Sequence, residues 1–501
     1  MNRSLVIRRV IAITLTVAVL ICVLSVISKS VELKISAQKH EDFFSEKNDF
    51  DVLFLGTSHM MNAVFPMELW NRYGITSYNL GGHSTALATS YWIMELALDY
   101  TKPSLIVIDC LGLDGMTKTS TTSFSYVHLS LDAFPLSSTK IRAVYDLLDD
   151  KEIDRLIASG DLTESEKRTP IGLLWDFSVY HGRWDSLGKS DLFPEKNIEK
   201  GAEHRVMLSW PNQIPDIPKE EMMTGDTVSL QYLKRIITEC RQRGIDVLLT
   251  YLPFPATEEQ RKEANRVYEI AHEYGVDYVN FQDLSVIDYD VDCADPGSHL
   301  NPSGARKVTD YLGNYISGRY DIRDKRSDTA FGRWADDYRV YQNNKYDLLR
   351  QTNDLSIYLM LIADQNLIPV LEINNPRIFE DNRYSTLVRN LGVSPEAVTS
   401  GSGLLVVNEK GSDVKYLEKG SSGSAQVPAD AGLITVSENG SGSYSVSLDH
   451  RELYSASSQP ETDIRICVVD QATGEVIDTI NSTFSYDPAG HIVPPTVAHE
   501  H

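Results

Sequence analysis

Asp51–His59 reads DVLFLGTSH: an apolar run, Val52–Leu55, followed by Gly56, Thr57, Ser58 and His59. A short unbroken apolar run stopped by glycine is the pattern of a strand buried on both faces. Working outward, further strands are expected at Ser77–Leu80, at Leu105–Ile108 after Lys102-Pro103, at Asp246–Tyr251 and at Asp277–Phe281. Helical patterns separate them. Leu230, Leu233, Ile236, Ile237 and Cys240 mark one helical face closed by Gly244, and Thr257 with Gln260 opens a second helix running to Gly275. Strands alternating with helices predict an α/β domain over residues 49–320, with a parallel sheet covered on both sides. Ligands in such sheets sit beyond the carboxyl ends of the strands, so chemistry is sought there. Residues 115–228 interrupt the rhythm as an insertion, with a helix at Thr139–Leu148 and an aromatic-rich stretch at Trp175–Leu187.

On either side of this domain the sequence changes character. Arg3, Arg8 and Arg9 lie in residues 1–9 and precede an uncharged, mostly apolar run from Val10 to Ser28. Nineteen residues at about 1.5 Å each make roughly 28 Å of helix, close to the hydrocarbon thickness of a bilayer. Residues 10–28 therefore read as an uncleaved transmembrane anchor. The leading arginines put the N-terminus in the cytoplasm and the bulk of the chain outside, with 29–48 as a juxtamembrane segment. Residues 321–400 read as a mixed connecting region and 401–490, rich in Gly and Ser, as a smaller β-rich module. Its Ile464–Val469 and Glu475–Ile480 form a hairpin through Asp470–Gly474. Residues 491–501 read as a loose tail.

Over the whole chain of 501 residues, 47 basic against 70 acidic side chains give a net charge of −23. That balance argues against a nucleic-acid binder, which needs basic surface. Five cysteines without a CxxC pair give no zinc or redox motif, so no metal and no cofactor are expected. A Cys110–Cys293 disulfide is compatible with the pattern without being required by it.

A serine just after the first strand is well placed as a nucleophile, although Gly-x-Ser at a strand end is also an ordinary turn. The loop Asp292–Thr309, DCADPGSHLNPSGARKVT, adds His299 as a candidate base and Asp295 as the group that orients it. His59, adjacent to Ser58, reads as a pocket wall or surface residue. The stretch Tyr180–Trp184, YHGRW, offers Arg183 and Trp184 to a sugar ring or an anionic group, against the plainer reading of a cap over the sheet.

Three blocks together, GTSH after the first strand, YNLGGHST after the second and DPGSHLNPSGARKVT before the last helix, resemble the SGNH/GDSL hydrolase superfamily. They are most similar to its membrane-anchored, cell-surface branch, which includes proteins similar to DltD and the alginate O-acetylation proteins. The resemblance implies a three-layer α/β/α sandwich. It makes Ser58 the nucleophile, His299 the base and Asp295 the acid, with Asp292 in reserve. An oxyanion hole would come from the amides of Ser58 and of Gly81 or Gly82, or even Ser84, with His83 lining the pocket.

Two departures stand out. Pro296 occupies the position three before the histidine where the acid is usual, and the third block, IDCLGLD, lacks the family's asparagine. If a charged Asp109 sits there it repels an oxyanion, and one lost donor costs about 3 kcal/mol of transition-state stabilisation. The implied function is a serine esterase or O-acyltransferase acting on acyl, chiefly acetyl, esters of a cell-surface carbohydrate. A membrane-bound O-acyltransferase is the partner this implies. The alternative is a non-catalytic glycan-binding or assembly protein on the same scaffold.

Overall fold

The computed structural model describes residues 3–31, 39, 43–44, 46, 50–162, 168–175, 177–193, 196–210, 215–297, 299–397, 403–406, 414–457 and 462–500. The chain forms two compact units. The first comprises Met1–Glu203, Ile214–Leu284 and Leu312–Gly332; the second comprises His204–Gln213, Ser285–Tyr311 and Arg333–His501.

Five parallel strands organise the first unit: β1 (Val52–Leu55), β2 (Ser77–Asn79), β3 (Leu105–Asp109), β4 (Asp246–Tyr251) and β5 (Asp277–Asn280). Their order is β2-β1-β3-β4-β5. Every residue of β1, β2 and β3 is buried, which accounts for the unbroken apolar runs Val52–Leu55 and Leu105–Ile108. From β1 the chain turns outward to β2 and then crosses back to β3. The gap between the ends of β1 and β3 is thus the switch point where open parallel sheets place ligands. The helix Glu258–Tyr274 begins with the expected reciprocal cap between Thr257 and Gln260, and Gly244 closes Val228–Arg243 at φ 70°.

At the N-terminus one helix runs from Arg3 to Val31, and its span Val6–Ser28 is long and apolar enough to cross a membrane. Part of the segment read as juxtamembrane belongs to the core of this unit. Phe43 is fully buried, with its ring 5.4 Å from those of Phe50 and Tyr78. Glu46 forms a buried ion pair with Lys200 at 2.6 Å.

The second unit is built on six antiparallel strands: β6 (Leu367–Ile373), β7 (Gly403–Val406), β8 (Lys415–Glu418), β13 (Ile464–Asp470), β14 (Val476–Ser482) and β15 (Ala498–His499). Their order in the sheet is β15-β14-β13-β6-β7-β8. A four-stranded meander, β9 (Gly423–Ala429) through β10 (Gly432–Glu438) and β11 (Tyr444–Leu448) to β12 (Arg451–Ala456), shares a core with one face. Val427, Val436 and Val446 there meet Val370, Cys467 and Val469. Leu355, Tyr358, Leu359, Tyr384 and Leu387 join Leu371, Ile466 and Val468 in a second core.

Two expectations are corrected. The C-terminal residues are not a loose tail, since Ala498 and His499 pair with β14 and His499 Nδ1 lies 2.8 Å from Asp478. Cys110 and Cys293 are both free thiols, as are the other three.

Candidate active site

Ser58 opens a short helix, Ser58–Ala63, directly after β1. Gly56 has φ 147°, and a Cβ there would sit 2.8 Å from Asp109 Cβ. Only glycine lets the end of β1 lie this close to the end of β3. Thr57 is extended and caps the helix, its Oγ1 accepting from the His59 amide at 3.2 Å. His59 is buried, with its ring 4.5 Å from that of Phe254, so it serves as a wall.

The second block closes onto the same turn. Leu80 and Gly82 donate to the carbonyls of Phe54 and Gly56 at 2.8 and 3.1 Å, carrying the ladder past the end of β2. A Cβ on Gly81 would come within 2.9 Å of Thr57 O and Met61 N. Asn79 ties the pieces together: its Nδ2 donates to Met60 O and Val64 O, and its Oδ1 accepts from Gly81 N at 3.0 Å.

The Gly81 amide is engaged by Asn79 and the Gly82 amide by Gly56, so neither is positioned as an unoccupied donor. The Ser84 amide, in a left-handed conformation at φ 45°, donates to no backbone carbonyl among the described residues. Such backbone strain concentrates at functional sites.

Beside this turn lies a cavity of about 180 Å³, lined in part by Met61, Leu80, Gly81, Gly82, His83 and Lys39. The Lys39 ammonium donates to the Gly81 carbonyl, and Tyr78 Oη donates to the Lys39 carbonyl. Burial pushes the Lys39 pKa down to about 7, against the Glu203 carboxylate, which acts upward. The ring of His83 is 5.9 Å from that of Tyr126. Nothing in the composition of residues 29–48 marked Lys39 as a pocket residue.

Asp109, at the end of β3, is buried. Its Oδ1 accepts from Leu252 N at 3.2 Å, while Oδ2 has no hydrogen-bond partner among the described residues. Burial pushes its pKa up to about 7, with the backbone amides of Leu252, Leu111 and Cys110 acting downward. Near neutral pH a large fraction of this carboxyl is therefore an acid with an O–H rather than a charge. Glu263 behaves alike: burial and then Asp114 raise it to about 8, although Gly112 N and Leu113 N donate to its Oε2.

His299 and Asp295 belong to the second unit, and Ser58 to the first. An isolated bridge between Cys293 and Leu300, with Ala294 N donating to His299 O at 2.8 Å, folds the loop back on itself. That turn sets Asp295 Oδ2 2.5 Å from His299 Nδ1, while Asp295 Oδ1 accepts from the His299 amide at 3.2 Å. A carboxylate on Nδ1 fixes the tautomer that leaves Nε2 as the basic nitrogen. Asp292 has a different task. It is fully buried, and its Oδ2 takes Lys307 Nζ at 2.7 Å and Asp288 N at 2.7 Å. The structure thus separates the two candidate acids: Asp295 holds the ring and Asp292 holds the loop. Arg205, which the sequence did not single out, lies 3.7 Å from Asp295 Oδ2.

Arg183 and Trp184 are at neither of these places. Arg183 Nη1 donates to Val31 O at 2.7 Å and Nη2 to Asp191 at 3.1 Å, and the Trp184 ring is exposed.

In comparisons with known proteins, the chain matches no family model and no curated protein.

Proposed function

We propose that this protein is a single-pass, membrane-anchored serine esterase or O-acyltransferase with an SGNH-type three-layer domain. In this reading its N-terminus is cytoplasmic, its bulk is outside, and it acts on acetyl or similar small acyl esters of a cell-surface carbohydrate. Ser58 Oγ attacks the ester carbonyl as His299 Nε2 takes its proton. Collapse of the tetrahedral intermediate expels the alcohol, which recovers that proton, and leaves an acyl-enzyme. Water or a carbohydrate hydroxyl then attacks the acyl-enzyme, with His299 again accepting and returning a proton. The oxyanion is met by the Ser58 and Ser84 amides and by the neutral Asp109 carboxyl. A carboxylic acid kept protonated by burial can fill the place of an amide donor.

The observation that carries the proposal is the contact of Asp295 with His299 Nδ1, made within one tight loop. The cavity of about 180 Å³ next to Gly81 and Gly82 suits a short acyl group, since an apolar cavity of about 150 Å³ holds a benzene ring. The leading arginines and the apolar span support the anchor and its orientation. A membrane-bound O-acyltransferase is the matching donor partner.

Engagement of the Gly81 and Gly82 amides favours a second reading, a glycan-binding or assembly protein that has lost catalysis. Hydrolysis of a chromogenic acetyl ester by the full-length protein separates the two. Wild type turns over, and Ser58→Ala loses at least about 10³-fold in kcat. Equal rates in the two proteins would remove the serine mechanism.

A further inference from the structure

The segment Pro170–Phe193, which the proposed chemistry does not use, carries a surface in search of a partner. Three of its four helical pieces, Phe177–Tyr180, His181–Asp185 and Lys189–Leu192, pack against the N-terminal helix, and the fourth, Pro170–Leu174, packs against Phe177–Tyr180. Contact is confined to that helix's far end, where Ser28 and Val31 are buried, whereas residues such as Val10, Leu20 and Val26 are exposed. Arg183 fixes the junction by donating to Val31 O, one of the terminal carbonyls that a helix leaves without an internal partner. A cation at that end also complements the helix dipole.

The clamp fixes where this segment lies relative to a bilayer. Val6–Ser28 is 23 residues, roughly 35 Å of helix, which uses up the hydrocarbon thickness by about Ser28. Val31 is one turn beyond. Residues bonded to it stand at the depth of the lipid headgroups, where Trp and Tyr concentrate because their rings are apolar with one polar edge. Among the described side chains of this segment four large apolar ones are exposed: Ile171 (60%), Trp175 (40%), Trp184 (63%) and Phe193 (71%). Scattered single apolar residues need no explanation, but four in one short segment clamped to a membrane-length helix do.

We infer that Pro170–Phe193 is a membrane-interface collar whose exposed Trp175, Trp184, Ile171 and Phe193 insert into the headgroup–acyl boundary of the leaflet from which the N-terminal helix emerges. The occupant is lipid, and continuity with the span is what selects it over a protein partner. The collar holds the first unit at the membrane surface. This inference rests on reading the N-terminal helix as membrane-spanning and is independent of the acyl chemistry.

Full-length protein in phosphatidylcholine nanodiscs, with and without bromine on the upper acyl carbons, provides the test by tryptophan emission. Four of the six tryptophans, Trp70, Trp92, Trp210 and Trp334, lie outside the collar. Brominated lipid should lower wild-type emission by about a third, the share of two tryptophans in six. Trp175→Phe/Trp184→Phe should still enter nanodiscs and lose nearly all of that quenching. Incorporation without quenching, or quenching equal in wild type and variant, would overturn the collar alone. Failure to enter nanodiscs at all would overturn the anchor and the collar together. Absence of quenching in a dimer that Trp184→Ser dissociates would assign the surface to a second copy and equally overturn the lipid reading.

Discussion

Asp109→Asn keeps the shape of a buried side chain and removes its ability to ionise. Asp109 is 1% exposed, and burial takes its pKa from 3.8 to about 7. Between pH 5 and 8 the carboxyl is ionised throughout in the unfolded chain, whereas in the folded chain it holds its proton until about pH 7. The folded state binds the extra proton, so this group's contribution is fullest at low pH and is lost as pH rises through 7. With those two pKa values the loss from pH 5 to pH 8 is about 2–3 kcal/mol. Glu263 adds a slope of the same sign, but it is present in both proteins and cancels from their difference. Urea unfolding of the first unit, followed by hydrogen exchange of peptides covering β1 and β3, isolates the transition from that of the second unit. Wild type should lose about 2–3 kcal/mol more than Asp109→Asn between pH 5 and 8. In ester hydrolysis the variant should keep its rate at pH 8, where wild type declines because its third donor has become a charge. Parallel stability curves would refute the buried-acid account of Asp109. A wild-type rate that does not fall relative to the variant would remove it from the oxyanion hole.

Other consequences are more local. Gly56→Ala adds a Cβ 2.8 Å from that of Asp109 at φ 147°, and should cost about 3 kcal/mol in the same exchange experiment. Lys200→Met removes the buried cation 2.6 Å from Glu46, leaving Lys196 at 3.4 Å, and should destabilise the first unit by about 2–3 kcal/mol, read by urea titration. Asp295→Asn should lower kcat by about 10²–10⁴ with the unfolding midpoint nearly unchanged. Asp292→Asn should do the reverse, lowering the midpoint of the second unit through Lys307 while kcat changes little.

The parallel sheet was legible because its signals are local. Val52–Leu55 and Leu105–Ile108 are apolar without interruption since both faces are covered, and the caps Thr257, Gln260 and Gly244 sit where a helix needs them. Pairings distant in sequence were not legible. β6 pairs with β13 across nearly a hundred residues, Val370 opposite Cys467, and no periodicity announces which run a strand will join. The polar stretch after Tyr320 hid the twenty-residue helix Gly332–Gln351, whose buried side comes from the widely spaced Trp334, Tyr341, Tyr346 and Leu349. Of the candidate site, the placement of Ser58 just past β1 was readable from its position after the apolar run. Asp295 was already preferred over Asp292 from the sequence, and the Cys293–Leu300 bridge shows how a residue four positions back comes against the ring. Charge at Asp109 and Lys39 was unreadable in principle, because burial shifts a pKa and burial is a tertiary property.

The claim on which the account turns is that Ser58 is a nucleophile activated by His299. Labelling of the full-length protein with a fluorophosphonate, mapped by peptide mass and timed in wild type and His299→Ala, tests it directly. A single adduct on Ser58 is expected, forming at least about a hundredfold more slowly without the imidazole. No adduct on Ser58, or one that forms equally fast in both proteins, would contradict it.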